Sequence, residues 1–188
     1  MIMNNKVKTM IIKDYNLEGK QLTVFDNVFS FRERLDLYNF FTSGLFKFSG
    51  TSNSELNANH KEYIQSAYSP EDLENSRFFS PNLVNILSKY IENKSITRSY
   101  VFSSNFLNKH YFHVDPVGLT LLYYANLNWS LNDGGETLFT NDSIDEVLYT
   151  SLFKPGRIIL FDSSIPHKSN TIPVTTTSFR FSFVVNFE

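Results

Sequence analysis

The sequence predicts a mainly β protein with a jelly-roll (double-stranded β-helix) core and flanking N-terminal α-helices. Aromatic residues make up 16% of the 188 residues, with 19 Phe and 10 Tyr, and such side chains favour strands and the space between facing sheets. Helical periodicity is confined to residues 1–97, whereas residues 98–188 read as strands and turns. We expect one domain over 1–188, with helical support and a polar loop in the first part and the jelly-roll core in the second.

Two N-terminal segments have the pattern of helices. Ser30 precedes the first segment, 31–41, and Glu33 completes a capping box in which each side chain binds the other residue's backbone. The second segment, 81–91, follows Ser80 and begins with proline, a residue suited to the first helical position. Both segments are therefore predicted to be helices.

The stretch 49–69 between these helices is polar and has weak periodicity. It is interpreted as a surface loop, or alternatively as a mobile cover over a site. His60 lies in this stretch and is a further candidate for substrate contact.

Four strands are clear after residue 97, and turn signals at 132–135 and 154–156 separate some of them. In the last strand, Phe181 and Phe183 alternate with Arg180 and Ser182, so the two sets point to opposite faces of a sheet. Short strands at this spacing are typical of a sandwich or barrel, and eight would fit a compact jelly roll. The clear strands are 100–102, 119–124, 157–161 and 178–185.

Composition excludes several classes of function. The chain has no cysteine, so thiolate metal sites, disulfides and cysteine nucleophiles are absent. A formal net charge of −2 provides no basic footprint for nucleic acid or anionic lipid. Neither a secretory signal nor an apolar run long enough for a membrane span is evident. We expect a cytoplasmic protein with no nucleic-acid or membrane partner, and the oligomeric state stays open.

The tripeptide His113-Val-Asp115 is the first candidate metal motif. Residues i and i+2 of a strand point to the same face, so both side chains can reach one ion. Taken alone, the motif is a weak signal, because His-x-Asp occurs by chance and also fits a solvated strand edge.

His167 lies beyond a predicted turn and buried strand, and a folded-back sheet can bring it beside the first two ligands. Two imidazoles and one carboxylate form the facial triad of non-haem Fe(II) enzymes, which leaves three positions open. A zinc hydrolase with the same ligands is the alternative, and it would require tetrahedral closure around a water and a general base.

Arg180 favours the iron interpretation over the zinc one. It points away from the phenylalanines of its strand, and a buried arginine requires a partner. The guanidinium fork matches a carboxylate, so a bound dicarboxylate accounts for this residue. The alternative is an arginine that extends from a strand end to solvent.

Residues 110–187 resemble the prolyl 4-hydroxylase-like branch of the 2-oxoglutarate/Fe(II)-dependent oxygenases, and their order is similar to that of the oxygen-sensing protein prolyl hydroxylases. The matching elements are His113-Val-Asp115-Pro116, Leu121-Leu-Tyr-Tyr124-Ala-Asn126, Trp129, Gly134-Gly135-Glu-Thr, Pro155-Gly-Arg-Ile-Ile-Leu-Phe, Pro166-His167 and Arg180-Phe-Ser-Phe-Val-Val-Asn-Phe.

The resemblance implies roles for individual residues. His113, Asp115 and His167 would be the iron ligands, and Arg180 would bind the distal carboxylate of 2-oxoglutarate with the help of the Tyr124 hydroxyl. Tyr124 is otherwise a core residue. Thr120 is four residues from Tyr124 on the same strand face and is expected to line the pocket. The resemblance places the turn at 134–135 near the cofactor mouth, and Trp129 is expected to serve packing rather than substrate contact. His110 is expected to be solvated.

The cofactors implied are Fe(II), 2-oxoglutarate and O₂, with ascorbate left open as an accessory reductant. The implied reaction hydroxylates a prolyl residue in a polypeptide and releases succinate and CO₂. Because Asp115 is present, no carboxylate position is vacated for a halide, so hydroxylation is favoured over halogenation. The alternatives are a hydroxylase of a free amino acid or another small molecule, and a non-catalytic jelly-roll binding module.

Two positions depart from the pattern of relatives. Some relatives have a tyrosine upstream of the first iron ligand, where Ser103 stands ten residues before His113 here. Relatives also carry an aromatic residue six positions after the arginine, where this chain has Asn186. Both departures concern the pocket, so they bear on substrate identity more than on the type of reaction.

Overall fold

The computed structural model describes residues 9–48, 64–116 and 118–188, which form three α-helices and eleven strands. The helices are α1 (Phe31–Thr42), α2 (Pro70–Ser76) and α3 (Pro81–Ile91). The strands are β1 (Ile11–Leu17), β2 (Lys20–Asp26), β3 (Lys47–Phe48), β4 (Ile64–Ala67), β5 (Ile96–Ser104), β6 (Leu119–Tyr124), β7 (Thr137–Thr140), β8 (Val147–Ser151), β9 (Ile158–Asp162), β10 (His167–Ser169) and β11 (Arg180–Phe187).

Two antiparallel sheets form the core of the fold. The large sheet has the order β1-β2-β9-β6-β11-β5-β4-β3, and the small sheet has the order β10-β7-β8. A backbone bridge between His113 and His167 adds one more segment beside β10. Four central strands of the large sheet (β5, β11, β6 and β9) and the four segments of the small sheet thus make up a jelly roll, and the predicted fold class is confirmed.

The large sheet has one face toward the helices and one toward the small sheet. Phe183 of β11 belongs to a buried cluster with Phe41 of α1 and Leu83 of α3. Tyr124 of β6 belongs to a second cluster, which includes Phe139 of the small sheet. The predicted alternation in β11 therefore separates a helix-packing face from a face that looks into the space between the sheets.

Both predicted helices are present with the predicted caps. The Ser30 side chain accepts from the Glu33 backbone N–H, and the Glu33 side chain accepts from the Ser30 N–H. Ser80 caps α3, whose first residue is Pro81. Helix α2 was not predicted, although Ser69 and Asp72 form a capping box at its start.

The hairpin of β1 and β2 was also not predicted, and it joins the large sheet beside β9. Strand β1 lies at the sheet edge and is exposed over most of its length, so its sequence lacks the alternation of a half-buried strand. Its two-residue turn, Glu18-Gly19, has positive φ at both positions, which is the geometry of a type I′ turn without its usual Asn or Asp.

The loop interpretation of 49–69 is wrong for Ile64–Ala67, which forms β4 and pairs with β5. Residues 49–63, including His60 and most of the suggested cover, lie outside the described residues. The single-domain assignment and its division near residue 97 stay predictions. Within the described part of the chain, no helix has the length and apolar character needed to cross a membrane.

Candidate active site

The three predicted metal ligands converge at one end of the space between the sheets. Their ligand atoms all lie within 4.8 Å of one another. Nε2 of His113 is 4.0 Å from Oδ1 of Asp115, and Nε2 of His167 is 3.7 Å from Oδ2 of the same carboxylate. Reciprocal backbone hydrogen bonds between His113 and His167 hold the two histidines side by side, since each N–H donates to the other residue's carbonyl at 3.1 and 2.9 Å.

Both imidazoles present a lone pair toward this cluster. Nδ1 of His113 lies 3.0 Å from the carbonyl oxygen of Tyr111, and Nδ1 of His167 lies 3.0 Å from that of Ile165. A carbonyl only accepts, so Nδ1 carries the proton and Nε2 is free to ligate. Burial, reinforced by the neighbouring His113, lowers the pKa of His167 to about 4, which keeps this imidazole neutral at pH 7.

The cluster opens to solvent on one side. The His113 side chain is 32% exposed, whereas those of His167 and Asp115 are 10% and 8% exposed. Tyr111 and Val114, which flank His113 in sequence, are exposed apolar residues. A substrate would therefore approach from the His113 side.

The Asp115 carboxylate is held by a buried polar network. The Thr120 hydroxyl donates to Oδ2 at 2.7 Å, and the Asn186 side-chain amide lies 3.4 Å from the same oxygen. Thr120 also accepts from the Asn186 amide at 2.9 Å and lies 2.9 Å from the Ser163 hydroxyl. The structure thus brings Thr120, which was expected to line the co-substrate pocket, directly to a candidate metal ligand.

Arg180 is fully buried and does not extend to solvent. Its Nε donates to the Gly135 carbonyl at 2.9 Å, and Nη2 lies 3.4 Å from the Thr137 hydroxyl oxygen. The guanidinium carbon lies 5.4 Å from the ring centroid of Phe102 and 4.8 Å from that of Phe153. Burial lowers the pKa of Arg180 to about 10, so the side chain is still protonated at pH 7.

No carboxylate in the described part of the chain forms an ion pair with Arg180. Its Nη1 atom is buried and has no hydrogen-bond partner among the described residues, and the same is true of the Ser104 and Ser182 hydroxyls. Ser104 is the register partner of Arg180, and Ser182 is two residues further along β11 on the same face. A buried cation that has one unsatisfied nitrogen, together with two unsatisfied serine hydroxyls on the same sheet face, is an environment that an anionic ligand would complete.

Tyr124 lies beside this guanidinium, as the resemblance implied. Its hydroxyl donates to Thr137 at 2.8 Å, and its ring centroid is 5.5 Å from the guanidinium carbon. Burial raises the pKa of Tyr124, so its hydroxyl stays neutral and remains a donor. Thr137, which ends the matching element Gly134-Gly135-Glu-Thr but was assigned no role, connects the Tyr124 and Arg180 side chains.

Strand β7 relates the arginine pocket to the metal cluster. Thr137 contacts Arg180, and the ring of Phe139 stacks on His167 with centroids 5.9 Å apart. Thr137 and Phe139 are two positions apart on one strand, so their side chains point to the same face of the small sheet. That face therefore contacts both Arg180 and the metal cluster.

The glycine turn lies at this pocket, as expected. Gly135 has φ +75°, and a Cβ built there would be 3.1 Å from Cδ of Arg180, so glycine permits the close approach of the arginine. Trp129 packs on Phe153 and donates to the Gly134 carbonyl at 2.9 Å, a packing role that agrees with expectation.

The expectation that His110 is solvated is wrong. It is half-buried near the Phe102 ring, and burial together with the positive charge of Arg180 lowers its pKa to about 3.

Comparison with known proteins identifies the fold. A scan against protein-family models finds no match, and a search of curated proteins finds no relative. Among solved structures, the chain is similar to a prolyl hydroxylase from Trichoplax adhaerens in complex with a hypoxia inducible factor oxygen degradation domain peptide fragment. That match has a TM-score of 0.63 and 19% identity, and it covers 88% of this chain and 82% of the other.

Two further solved structures have the same fold. A Pseudomonas putida prolyl-4-hydroxylase matches with a TM-score of 0.61 and 15% identity, over 89% of this chain and 91% of the other. HygX from Streptomyces hygroscopicus, with nickel and 2-oxoglutarate bound, matches with a TM-score of 0.63 and 11% identity, over 88% and 82%. The resemblance inferred from the sequence is therefore confirmed at the level of the fold.

Proposed function

We propose that this protein is a 2-oxoglutarate- and O₂-dependent Fe(II) hydroxylase that acts on a prolyl residue in a protein or peptide and releases succinate and CO₂. One observation carries the proposal: β7 contacts both a His–Asp–His cluster and a buried Arg180 that has no ion-pair partner among the described residues. A single anionic ligand accounts for both features, because it would bind the metal at one end and the Arg180 guanidinium at the other.

The residues of the cluster fit an iron site. His113 and His167 would each bind through Nε2, and Asp115 would supply a carboxylate oxygen, which is the donor set of the facial triad. When bound, the metal supplies the activation of O₂ coupled to oxidative decarboxylation of 2-oxoglutarate. The protein contributes fixed imidazole tautomers and an oriented carboxylate, both of which are present in the structure.

The residues around Arg180 fit the distal carboxylate of 2-oxoglutarate. Nη1 of Arg180 and the hydroxyls of Ser104 and Ser182 are buried donors that lack partners. The rings of Phe102 and Phe153 exclude water from the guanidinium, which strengthens its attraction for an anion. Arg180 would therefore fix the tail of the keto acid and orient its other end toward the metal cluster.

The approach to the site favours a substrate that is at least partly apolar. Access is from the side of His113, where Tyr111 and Val114 are exposed. An apolar rim suits the pyrrolidine ring of proline, and two of the similar structures are prolyl hydroxylases. These observations favour a prolyl residue in a polypeptide over a free amino acid.

Succinate formation and substrate oxidation test the proposal together. The purified protein is supplied with Fe(II), 2-oxoglutarate and ascorbate, and proline-containing peptides are compared with free proline by a mass gain of one oxygen. We expect His167→Ala to abolish succinate formation and Lys168→Ala to leave it unchanged. Lys168 is the adjacent residue of β10 and points away from the cluster, where its amine covers the Phe112 ring.

Each outcome has a distinct meaning. Oxidation of free proline without oxidation of any peptide would favour the small-molecule hydroxylase. The absence of 2-oxoglutarate decay in the wild-type protein would favour a non-catalytic binding module. A folded His167→Ala variant with unchanged turnover would exclude His167 as an essential ligand.

A further inference from the structure

Asn186 lies at the opposite end of β11 from Arg180, and its side chain is buried against the metal cluster. Its amide nitrogen is 2.9 Å from the Thr120 hydroxyl oxygen and 3.4 Å from Oδ2 of Asp115.

The hydrogen-bond chemistry fixes the direction of each bond in this network. A hydroxyl has one proton and two lone pairs, and an amide NH₂ can only donate. Asn186 occupies one lone pair of Thr120, and the Ser163 hydroxyl, 2.9 Å away, can occupy the other. The Thr120 proton is then directed to Oδ2 of Asp115, which accepts at 2.7 Å.

We propose that Asn186, acting through Thr120, is a positioning residue that orients the Asp115 carboxylate toward the metal by holding its Oδ2 with hydrogen bonds. This inference rests on the proposed function, because it assigns a purpose to the carboxylate of the iron site. Hydrogen bonds to a ligating carboxylate fix its rotamer and typically raise metal affinity by ten- to a hundredfold.

The hydrogen-bond partners of its side-chain amide distinguish Asn186 from an asparagine that serves only the structure. Asn126 is also buried, and both ends of its amide bind backbone, at the Phe179 carbonyl and the Phe181 N–H. Among the described residues, the Asn186 amide nitrogen reaches only Thr120 and Asp115, while its Oδ1 is buried without a partner. The described polar contacts of its side chain therefore all belong to the network around the Asp115 carboxylate.

Metal binding without turnover tests this role. Mn(II) affinity is measured by calorimetry, and Co(II) is used as a spectroscopic probe whose d–d absorption reports the ligand set. We expect Asn186→Leu and Thr120→Val to weaken Mn(II) binding about tenfold or more and to change the Co(II) spectrum. Thr120→Ser retains the hydroxyl, so it is expected to restore both properties to near the wild-type values.

The hairpin of β1 and β2 offers a matched control. The Thr23 hydroxyl donates to Asp14 at 2.7 Å, the same type of bond as that between Thr120 and Asp115 but outside the cluster. Thr23→Val is expected to leave Mn(II) affinity and the Co(II) spectrum unchanged.

Wild-type metal affinity in a folded Asn186→Leu or Thr120→Val variant would overturn the inference, and either folded variant is sufficient for this purpose. Failure of the wild-type protein to bind Mn(II) or Co(II) at all would instead overturn the proposed function, and the inference with it.

Discussion

Arg180 and Ser104 are directly opposed residues of two adjacent antiparallel strands, and both are fully buried. Each has a polar atom without a hydrogen-bond partner, Nη1 in the arginine and Oγ in the serine. Paired residues of neighbouring strands point to the same face, so both atoms belong to the pocket between the sheets. The pairing adds Ser104 to the residues that would hold the distal carboxylate of 2-oxoglutarate.

Ser104→Ala is therefore expected to weaken 2-oxoglutarate binding. A hydrogen bond to a charged group contributes about 1.5–3 kcal/mol, which corresponds to about tenfold or more in the dissociation constant. The neighbouring Ser103→Ala is the control, because Ser103 is opposite Phe181 and on the helix-packing face. Binding is measured by calorimetry with Mn(II) present, and equal effects of the two substitutions would refute the role of Ser104.

Arg180→Lys tests the fork geometry at constant charge. The planar guanidinium of Arg180 donates to the Gly135 carbonyl through Nε and still has Nη1 available for a ligand. Lysine has no such planar set of donors. We expect the dissociation constant for 2-oxoglutarate to rise by about tenfold or more, whereas Mn(II) affinity stays the same. Both constants are measured by titration of the same preparation. Undiminished 2-oxoglutarate binding would mean that only the charge matters.

Gly135→Ala is expected to displace Arg180 and weaken 2-oxoglutarate binding, because the added Cβ would lie 3.1 Å from Cδ and 3.4 Å from Nε of that residue. Gly19→Ala is a matched control, since Gly19 also has positive φ, at +88°, and no atom within 4 Å of its Cβ position. Both variants carry a backbone penalty of about 1–2 kcal/mol in unfolding free energy, because alanine is strained at positive φ, and urea denaturation measures this penalty. Only the change at Gly135 should affect the ligand titration, and similar titrations for the two variants would contradict this.

The ion pairs of Asp26 are expected to make a pH-dependent contribution to the free energy of unfolding. Its Oδ1 accepts from Nε of Arg157 at 2.9 Å, and its Oδ2 accepts from Nη2 of Arg157 and Nζ of Lys154, each at 2.9 Å. Burial opposes ionisation of this carboxyl, but these hydrogen bonds outweigh burial and hold the pKa of Asp26 below its usual value. Stability from this group is therefore present above the unfolded-state pKa of about 3.9 and is lost as the pH falls through the folded-state pKa.

At pH 7, Asp26→Asn is expected to lower the free energy of unfolding by about 2 kcal/mol, since it removes the carboxylate charge from a partly buried ion cluster. The difference between variant and wild type should shrink below about pH 4, where the wild-type carboxyl also becomes protonated. Urea denaturation across this pH range measures the difference, and a gap that does not change with pH would contradict the assignment.

Much of the local structure could be predicted from the sequence because its causes lie within a few residues. The capping box of Ser30 and Glu33 and the position of Pro81 locate two helix starts. Period-two alternation in β11 assigns Phe183 to one face of the sheet and Arg180 to the other. Strand β1 could not be predicted in this way, because it is an exposed edge strand whose sequence has no alternation of apolar and polar residues.

The sequence by itself determined which side chains are available to ligate a metal and to bind an anion: two closely spaced ligand-type residues, a distant histidine and an arginine facing away from its apolar neighbours. Only the tertiary structure decided that Ser104 stands opposite Arg180 and that Asn186 reaches the carboxylate of Asp115 through Thr120. Spacing along a strand is set by the chain's own geometry, whereas strand register and contact between distant segments are set by packing of the whole core.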